Sequence, residues 1–260
     1  MDNRVYTEEA GLDGEVHRLS VEDDYTAFAL CYPHPRCREL ERRVEALLSD
    51  GFTSLVEYGR SILNYRVVGK GYASIAVLAW NKYYGLGLLK IRRLDSRRES
   101  FEYEGMILDY LDKTGYTPTL YLWHRDYIFM EYLHRCIGID KALDQCIEGR
   151  DRECLKKIVK RTVRALYLFD KLGVDHGELN RPYEHILWCS GEVKVIDWES
   201  SRLRSKCHNL ASFISYLVYR YRFRREAMEL LGIKLEEVIH TLRLYKKSPS
   251  IKYVLQLLGD

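Results

Sequence analysis

Apolar and polar positions divide the chain into segments of opposite period. Residues 1 to about 35 carry no clear period; Val5-Tyr6 and Tyr25 to Tyr32 are strand candidates, closed by Pro33 and Pro35. From Arg38 to Leu48 the spacing is helical. Leu40, Val44, Leu47 and Leu48 share one face, and Asp50-Gly51 ends the segment. Strand residues over Tyr65–Val68 then run through Gly69-Lys70-Gly71-Tyr72-Ala73-Ser74 into a second strand from Ile75, and after a turn at Tyr84-Gly85 the run Leu86–Ile91 is a third. Ser96 and Glu99 have the spacing of a capping box ahead of an amphipathic helix bearing Phe101, Ile107, Leu108 and Leu111. Thr117-Pro118 breaks the chain before strands Thr119–Trp123 and Tyr127–Glu131, which flank the polar turn His124-Arg125-Asp126.

The second half reads as mainly helical. Ile137–Ile147 is a short helix. Arg152–Leu172 is a long one, with Leu155, Ile158, Val159, Val163, Leu166, Leu168 and Phe169 apolar and Gly173 as its cap. A polar loop from Asp175 to His185 follows, then a short strand ending Val195-Ile196-Asp197. Asn209 is placed to cap an apolar helix through Leu210, Phe213, Ile214, Leu217 and Val218, and Glu236–Leu244 and Ile251–Leu258 close the chain as helices.

Composition adds bounds. The 260 residues are long enough for a sizeable core, in one two-lobed unit or two small domains. A formal net charge of +3 is too small to argue for nucleic acid. The basic, aromatic-interleaved stretch Arg220-Tyr221-Arg222-Phe223-Arg224-Arg225 is a weak nucleic-acid candidate, outweighed by its reading as a solvated helix end. Seven cysteines without CxxC spacing point to reduced thiols, not disulfides or zinc, and so to a cytoplasmic protein. The start lacks a signal-like apolar core, and no run spans a bilayer, so no membrane partner is expected. Scarce Gln with abundant Lys, Arg and Glu hints at a thermophile.

Two stretches carry chemistry. The glycine hairpin lets backbone N–H groups approach phosphate oxygens, although an ordinary turn has the same composition. No P-loop string occurs. Lys90 is a lone cation in an apolar strand, and Glu104 lies on the helix stripe that faces it, so an internal Lys90–Glu104 pair is expected in place of two solvated charges. Downstream, Asp175-His176-Gly177-Glu178-Leu179-Asn180-Arg181-Pro182 offers a base, and Asp197 offers a carboxylate at a strand end.

The order of glycine hairpin, strand lysine, helix glutamate, hinge, long helix, His-Gly-acid loop and Ile-Asp strand end resembles the protein-kinase-like superfamily over about residues 59–220. Ile196-Asp197-Trp198-Glu199 and Asn209-Leu210-Ala211 look like strings of aminoglycoside-phosphotransferase-type kinases. The Asp175–Pro182 loop, with Tyr65-Arg66-Val67-Val68-Gly69-Lys70-Gly71-Tyr72 and the N-terminal helix, is most similar to small archaeal predicted serine/threonine protein kinases. The resemblance implies an α+β, two-lobed kinase-like fold. An antiparallel N-lobe sheet with one helix would occupy 59–133 and a mainly helical C-lobe 134–260, with 1–58 an N-terminal extension whose bland reading is a structural cap.

It also implies roles. Gly69, Lys70, Gly71 and Ser74 would cover the triphosphate of ATP. Lys90, held by Glu104, would bind its α- and β-phosphates, and Glu131 to Leu133 would lie beside adenine. Asp197 would hold Mg²⁺, and Glu178 stands where the catalytic aspartate is expected. Lys90 and Asp197 would converge on one nucleotide. Two departures stand out: Glu178 reaches one methylene further than aspartate, and the second metal-binding asparagine is missing, with His185 in a lengthened loop. Imidazole suits Mg²⁺ poorly, which leaves Asn180 as the oxygen donor or a single-metal site; Asp175 is a second candidate base. The implied activity is ATP-dependent phosphoryl transfer to Ser/Thr of a protein or of the chain itself. The alternatives are a small-molecule kinase and a catalytically weak ATP-binding protein acting through a partner.

Overall fold

The computed structural model describes residues 13–259; the Val5-Tyr6 strand candidate lies outside them. The chain is α+β with antiparallel sheets, and it divides into two compact units. The first comprises the chain up to Asp109 together with Thr119–Tyr132, and the second Tyr110–Pro118 together with Leu133 onward.

The first unit runs β1 (Glu15–Arg18), α1 (Asp24–Cys31), α2 (Leu40–Ser49), β2 (Phe52–Glu57), β3 (Arg60–Ile62), β4 (Tyr65–Val67), β5 (Gly69–Lys70), β6 (Ser74–Asn81), β7 (Gly85–Arg92), α3 (Glu102–Asp112), β8 (Leu120–Trp123) and β9 (Tyr127–Met130). Its main sheet has the order β1-β2-β6-β7-β9-β8, with β5 paired to β6. The segment before residue 58 therefore supplies two strands of the same sheet. Strand alternation separates the two faces. Ile75, Val77, Ala79, Leu89 and Ile91 pack with α1 and α2, while Val56 and Leu78 point the other way. Lys90 lies between Leu89 and Ile91 and so shares the second face.

Two expectations fail here. Asp24–Cys31 is a helix, not a strand: Asp23 caps it by accepting from Thr26 N at 2.7 Å. Its residues from Tyr25 to Cys31 are all buried, and a helix buried all round shows no amphipathic period. Ser96 and Glu99 do not cap α3, which begins only at Glu102. Ser96 Oγ instead accepts from Arg98 N at 3.0 Å within a loop that delivers the fully buried Phe101 to the core.

The second unit continues with β10 (Ile137–Gly138), α4 (Ile139–Glu148), α5 (Arg152–Lys171), β11 (Val174–Asp175), α6 (Pro182–His185), β12 (Ile186–Cys189), β13 (Glu192–Val195), a 3-10 turn (Trp198–Ser200), β14 (Arg202–Leu203), α7 (Asn209–Tyr219), α8 (Arg224–Leu231), α9 (Leu235–Lys247) and α10 (Ile251–Leu257). β10, β12 and β13 form a three-stranded antiparallel sheet, and β11 pairs with β14. The amphipathic α5 turns Leu155, Ile158, Val159, Val163, Leu166 and Phe169 inward. Gly173, at φ +73°, supplies the left-handed residue that ends it.

The cysteines correct the reduced-thiol expectation. Cys31–Cys37, Cys136–Cys189 and Cys146–Cys154 are disulfides, and among the described residues Cys207 is the free thiol. Cys31–Cys37 and Cys146–Cys154 close short loops, whereas Cys136–Cys189 joins residues 53 apart that only the fold brings together. The basic stretch also changes character. Tyr221 is fully buried and donates to Asp144 at 2.7 Å, Arg222 pairs with the same carboxylate, and the guanidinium of Arg222 lies over Phe223. The interleaved aromatics are thus packed, not presented for base stacking. No helix among the described residues is long and apolar enough to cross a membrane.

Candidate functional site

In the first unit, the antiparallel register places Gly69 opposite Ala76 and Lys70 opposite Ile75, and Gly71 N donates to Ser74 O at 2.9 Å. The hairpin is therefore tight. A Cβ on Gly71 would come within 3.2 Å of Ser74 Oγ. Arg60 and Arg93 donate to the Lys70 and Gly71 carbonyls at 3.1 and 2.9 Å, which fixes the tip from outside. Lys70 itself is exposed.

Lys90, on β7, meets Glu104, on α3, with Nζ 2.8 Å from Oε1. The Glu104 side chain is 1% exposed and that of Lys90 10%. Withdrawing two charges from water is costly and needs close pairing in return. Glu104 Oε2 has no hydrogen-bond partner among the described residues, so the pair retains acceptor capacity. At the end of this unit the Glu131 carboxylate turns back to accept from Thr119 N at 3.1 Å. Leu133, grouped with Glu131 by the sequence, begins the main segment of the second unit and is half-buried.

In the second unit the acid loop is held by side chains from α5 and α7. Asn209 does not cap α7 as its position suggests. Its Oδ1 accepts from His176 N at 2.9 Å, and its Nδ2 donates to Val174 O at 2.7 Å and to Asp170 Oδ1 at 2.9 Å. The helix N-terminus is satisfied by the Asp170 carboxylate, which accepts from Asn209 N and Leu210 N at 3.0 and 3.3 Å and from Tyr245 OH at 2.7 Å. Burial raises the Asp170 pKa, and these donors work against the rise.

His176 is completely buried, with Nε2 3.0 Å from Ile196 O. Burial pushes its pKa down to about 4, so the ring is neutral at physiological pH. It packs on the fully buried Trp198, whose Nε1 donates to Val195 O at 3.0 Å. Ile196 is thereby gripped on both sides, since its N–H donates to His185 O at 2.9 Å. Asp197 follows in the left-handed region, at φ 65° and ψ 65°, a conformation that asparagine and aspartate tolerate better than most residues.

Gly177 is required where it stands: φ is +88°, and a Cβ would lie 2.7 Å from Ser200 O. The next residue, Glu178, is half-buried. Its Oε1 accepts from Ser200 Oγ, and its Oε2 lies 3.2 Å from His185 Nε2. The His185 side chain is 5% exposed. The approach of His185 and Ser200 to Glu178 has no motif in the sequence, where Ser200 is marked only by its place in a polar turn three residues after Asp197. Beside Glu178 opens a cavity of about 370 Å³ lined by Asp175, Gly177, Ser200, Arg202 and Arg204. Arg204 Nη1 is 3.7 Å from Asp175 Oδ2. The second candidate base is thus ion-paired at the rim.

Asn180 is exposed, and its carbonyl accepts from Arg220 at 3.3 Å. Asp197 is half-buried; its carboxylate is of the kind that could hold a Mg²⁺ ion, which commonly takes one or two carboxylates and fills its shell with other oxygens and water. No protein-family model matches the chain, and no curated protein matches it either.

Proposed function

We propose that the protein is an atypical ATP-dependent kinase that transfers a phosphoryl group to a serine or threonine hydroxyl of a protein or of its own chain. The observation that carries this reading is the buried Lys90–Glu104 pair at 2.8 Å. A lysine on a central strand, held by a glutamate from α3 and following a tight glycine hairpin, is the arrangement that presents an ammonium to nucleotide phosphates. The second unit supports it with an acid loop whose Glu178 accepts from Ser200 beside His185, and with Asp197 just after the following strand. On this reading Glu178 orients the acceptor hydroxyl, Asp197 binds magnesium, and rate comes mainly from alignment and charge neutralisation.

The cavity beside Glu178 favours a second reading. Its polar lining and volume of about 370 Å³ suit a compact polar acceptor, as in a small-molecule kinase. One experiment separates these readings from simple nucleotide binding. Wild type, Lys90→Ala, Asp197→Asn and Glu178→Gln are assayed for Mg²⁺-dependent ATP binding and for transfer of labelled phosphate to itself, to general protein substrates and to a metabolite panel. Lys90→Ala should lose nucleotide affinity, Asp197→Asn its magnesium dependence, and Glu178→Gln transfer with binding retained. ATP binding unchanged by Lys90→Ala would refute the proposal.

A further inference from the structure

An unassigned cluster lies on the first two strands, in the first unit. β1 and β2 pair antiparallel with Glu15 directly opposite Glu57 and His17 opposite Leu55. Glu15 and His17, two residues apart, share a face of β1. Two carboxylates in a directly opposed cross-strand pair repel each other, so this pairing needs positive charge between them.

The imidazole is oriented to help hold a cation there. His17 Nδ1 lies 3.1 Å from Asp23 Oδ2, while Asp23 Oδ1 is fixed as the cap of α1. A carboxylate that accepts the Nδ1 proton leaves the lone pair on Nε2, the arrangement by which a second carboxylate orients a metal-binding histidine. Nε2 is buried and has no hydrogen-bond partner among the described residues, yet it lies 3.4 Å from Glu57 Oε2. Glu57 Oε1 is occupied by Arg66 N at 2.9 Å, so Oε2 is the oxygen left to bind.

Ligand atoms of Glu15, His17 and Glu57 all lie within 4.8 Å of one another. Two ligands about 2.0–2.1 Å from a tetrahedral zinc are roughly 3.4 Å apart. The His17–Glu57 separation therefore already matches one edge of such a shell. One imidazole with two carboxylates suits zinc and is a poor set for calcium or magnesium. Arg66, which donates its backbone N–H to Glu57 Oε1, sends its guanidinium to the Glu57 carbonyl at 3.5 Å and toward Asp13 at 3.7 Å.

We propose that Glu15, His17 and Glu57 form a zinc site, completed by water, that clips β1 to β2, with Asp23 as its positioning residue. The test is isothermal titration of the chelator-stripped full chain with zinc chloride, alongside metal analysis after dialysis. Wild type should take up one equivalent that His17→Ala lacks. Glu15→Gln changes an exposed side chain and keeps the fold; it should weaken binding at least tenfold.

Asp23→Asn is the sharpest variant. Asparagine still caps α1, but its NH₂ donates to Nδ1, which moves the ring proton to Nε2 and blocks the ligand atom. Zinc affinity should fall about 10–100-fold with unchanged circular dichroism. A wild type that takes up no zinc overturns the proposal. Equal uptake by wild type and all three variants overturns it too, by placing the ion elsewhere.

Discussion

Replacing Asp126 by asparagine removes the acid on which three arginines of the first unit depend. Asp126 lies in the turn between β8 and β9, and its side chain is 4% exposed. Arg92 Nη2 on β7 is 2.7 Å from Oδ1, Arg42 Nη2 on α2 is 2.8 Å from Oδ2, and Arg43 Nη2 is 3.4 Å from Oδ1. Burial works to raise the Asp126 pKa, but the hydrogen bonds from Arg42 and Arg92 and the charge of Arg43 outweigh it, bringing the carboxyl from 3.8 to about 2. A tenfold change in proton affinity is worth about 1.4 kcal/mol, so the ionised carboxylate stabilises the folded state by about 2 kcal/mol at neutral pH.

Arg43 adds to the loss. Its side chain is 3% exposed, and in the variant it would face Arg42 and Arg92 with no acid between them. The expected total is about 2–4 kcal/mol. Because the folded pKa is depressed, this stability is complete above about pH 4 and drains as pH falls through about 2. Urea unfolding of both proteins from pH 7 downward measures it. The gap between wild type and Asp126→Asn should shrink by about 1.6 kcal/mol by pH 2.5. A gap below about 1 kcal/mol at pH 7, or one that does not change with pH, refutes the reasoning.

Two further outcomes follow from the second unit. The Cys136–Cys189 bridge spans 53 residues, and closing a loop of that length removes about 4 kcal/mol of unfolded-chain entropy. The Cys136→Ser/Cys189→Ser double variant should lose stability of that order in denaturant under non-reducing conditions, and an unchanged midpoint would mean the bridge carries no constraint. Gly177→Ala forces a side chain into a left-handed residue and against the Ser200 carbonyl, so it should cost more than about 1 kcal/mol. It should also shift the Glu178 and Ser200 resonances in a spectrum of the labelled protein, and wild-type stability would show that the loop relaxes freely.

The sequence by itself determined the parts whose information is local. The period of α5 and the alternation of β6 and β7 follow from one burial face per element, and the glycines at 71, 173 and 177 mark turns that a Cβ would obstruct or strain. The Lys90–Glu104 pair was legible because a lone cation in an apolar strand and an acid on the facing helix stripe both need a partner. Tertiary structure decided whatever depends on residues far apart in the chain. Asp24–Cys31 is buried on every side, so its helical period vanished into uniform hydrophobicity. Asn209 looked like a cap, but Asp170, from α5, takes the helix N-terminus and frees Asn209 to hold the backbone on both sides of Asp175. The Cys136–Cys189 bridge, the arginines on Asp126 and Ser200 beside Glu178 join side chains far apart in the chain, which only packing brings within reach; the two short-range bridges depend on the turn their loops adopt.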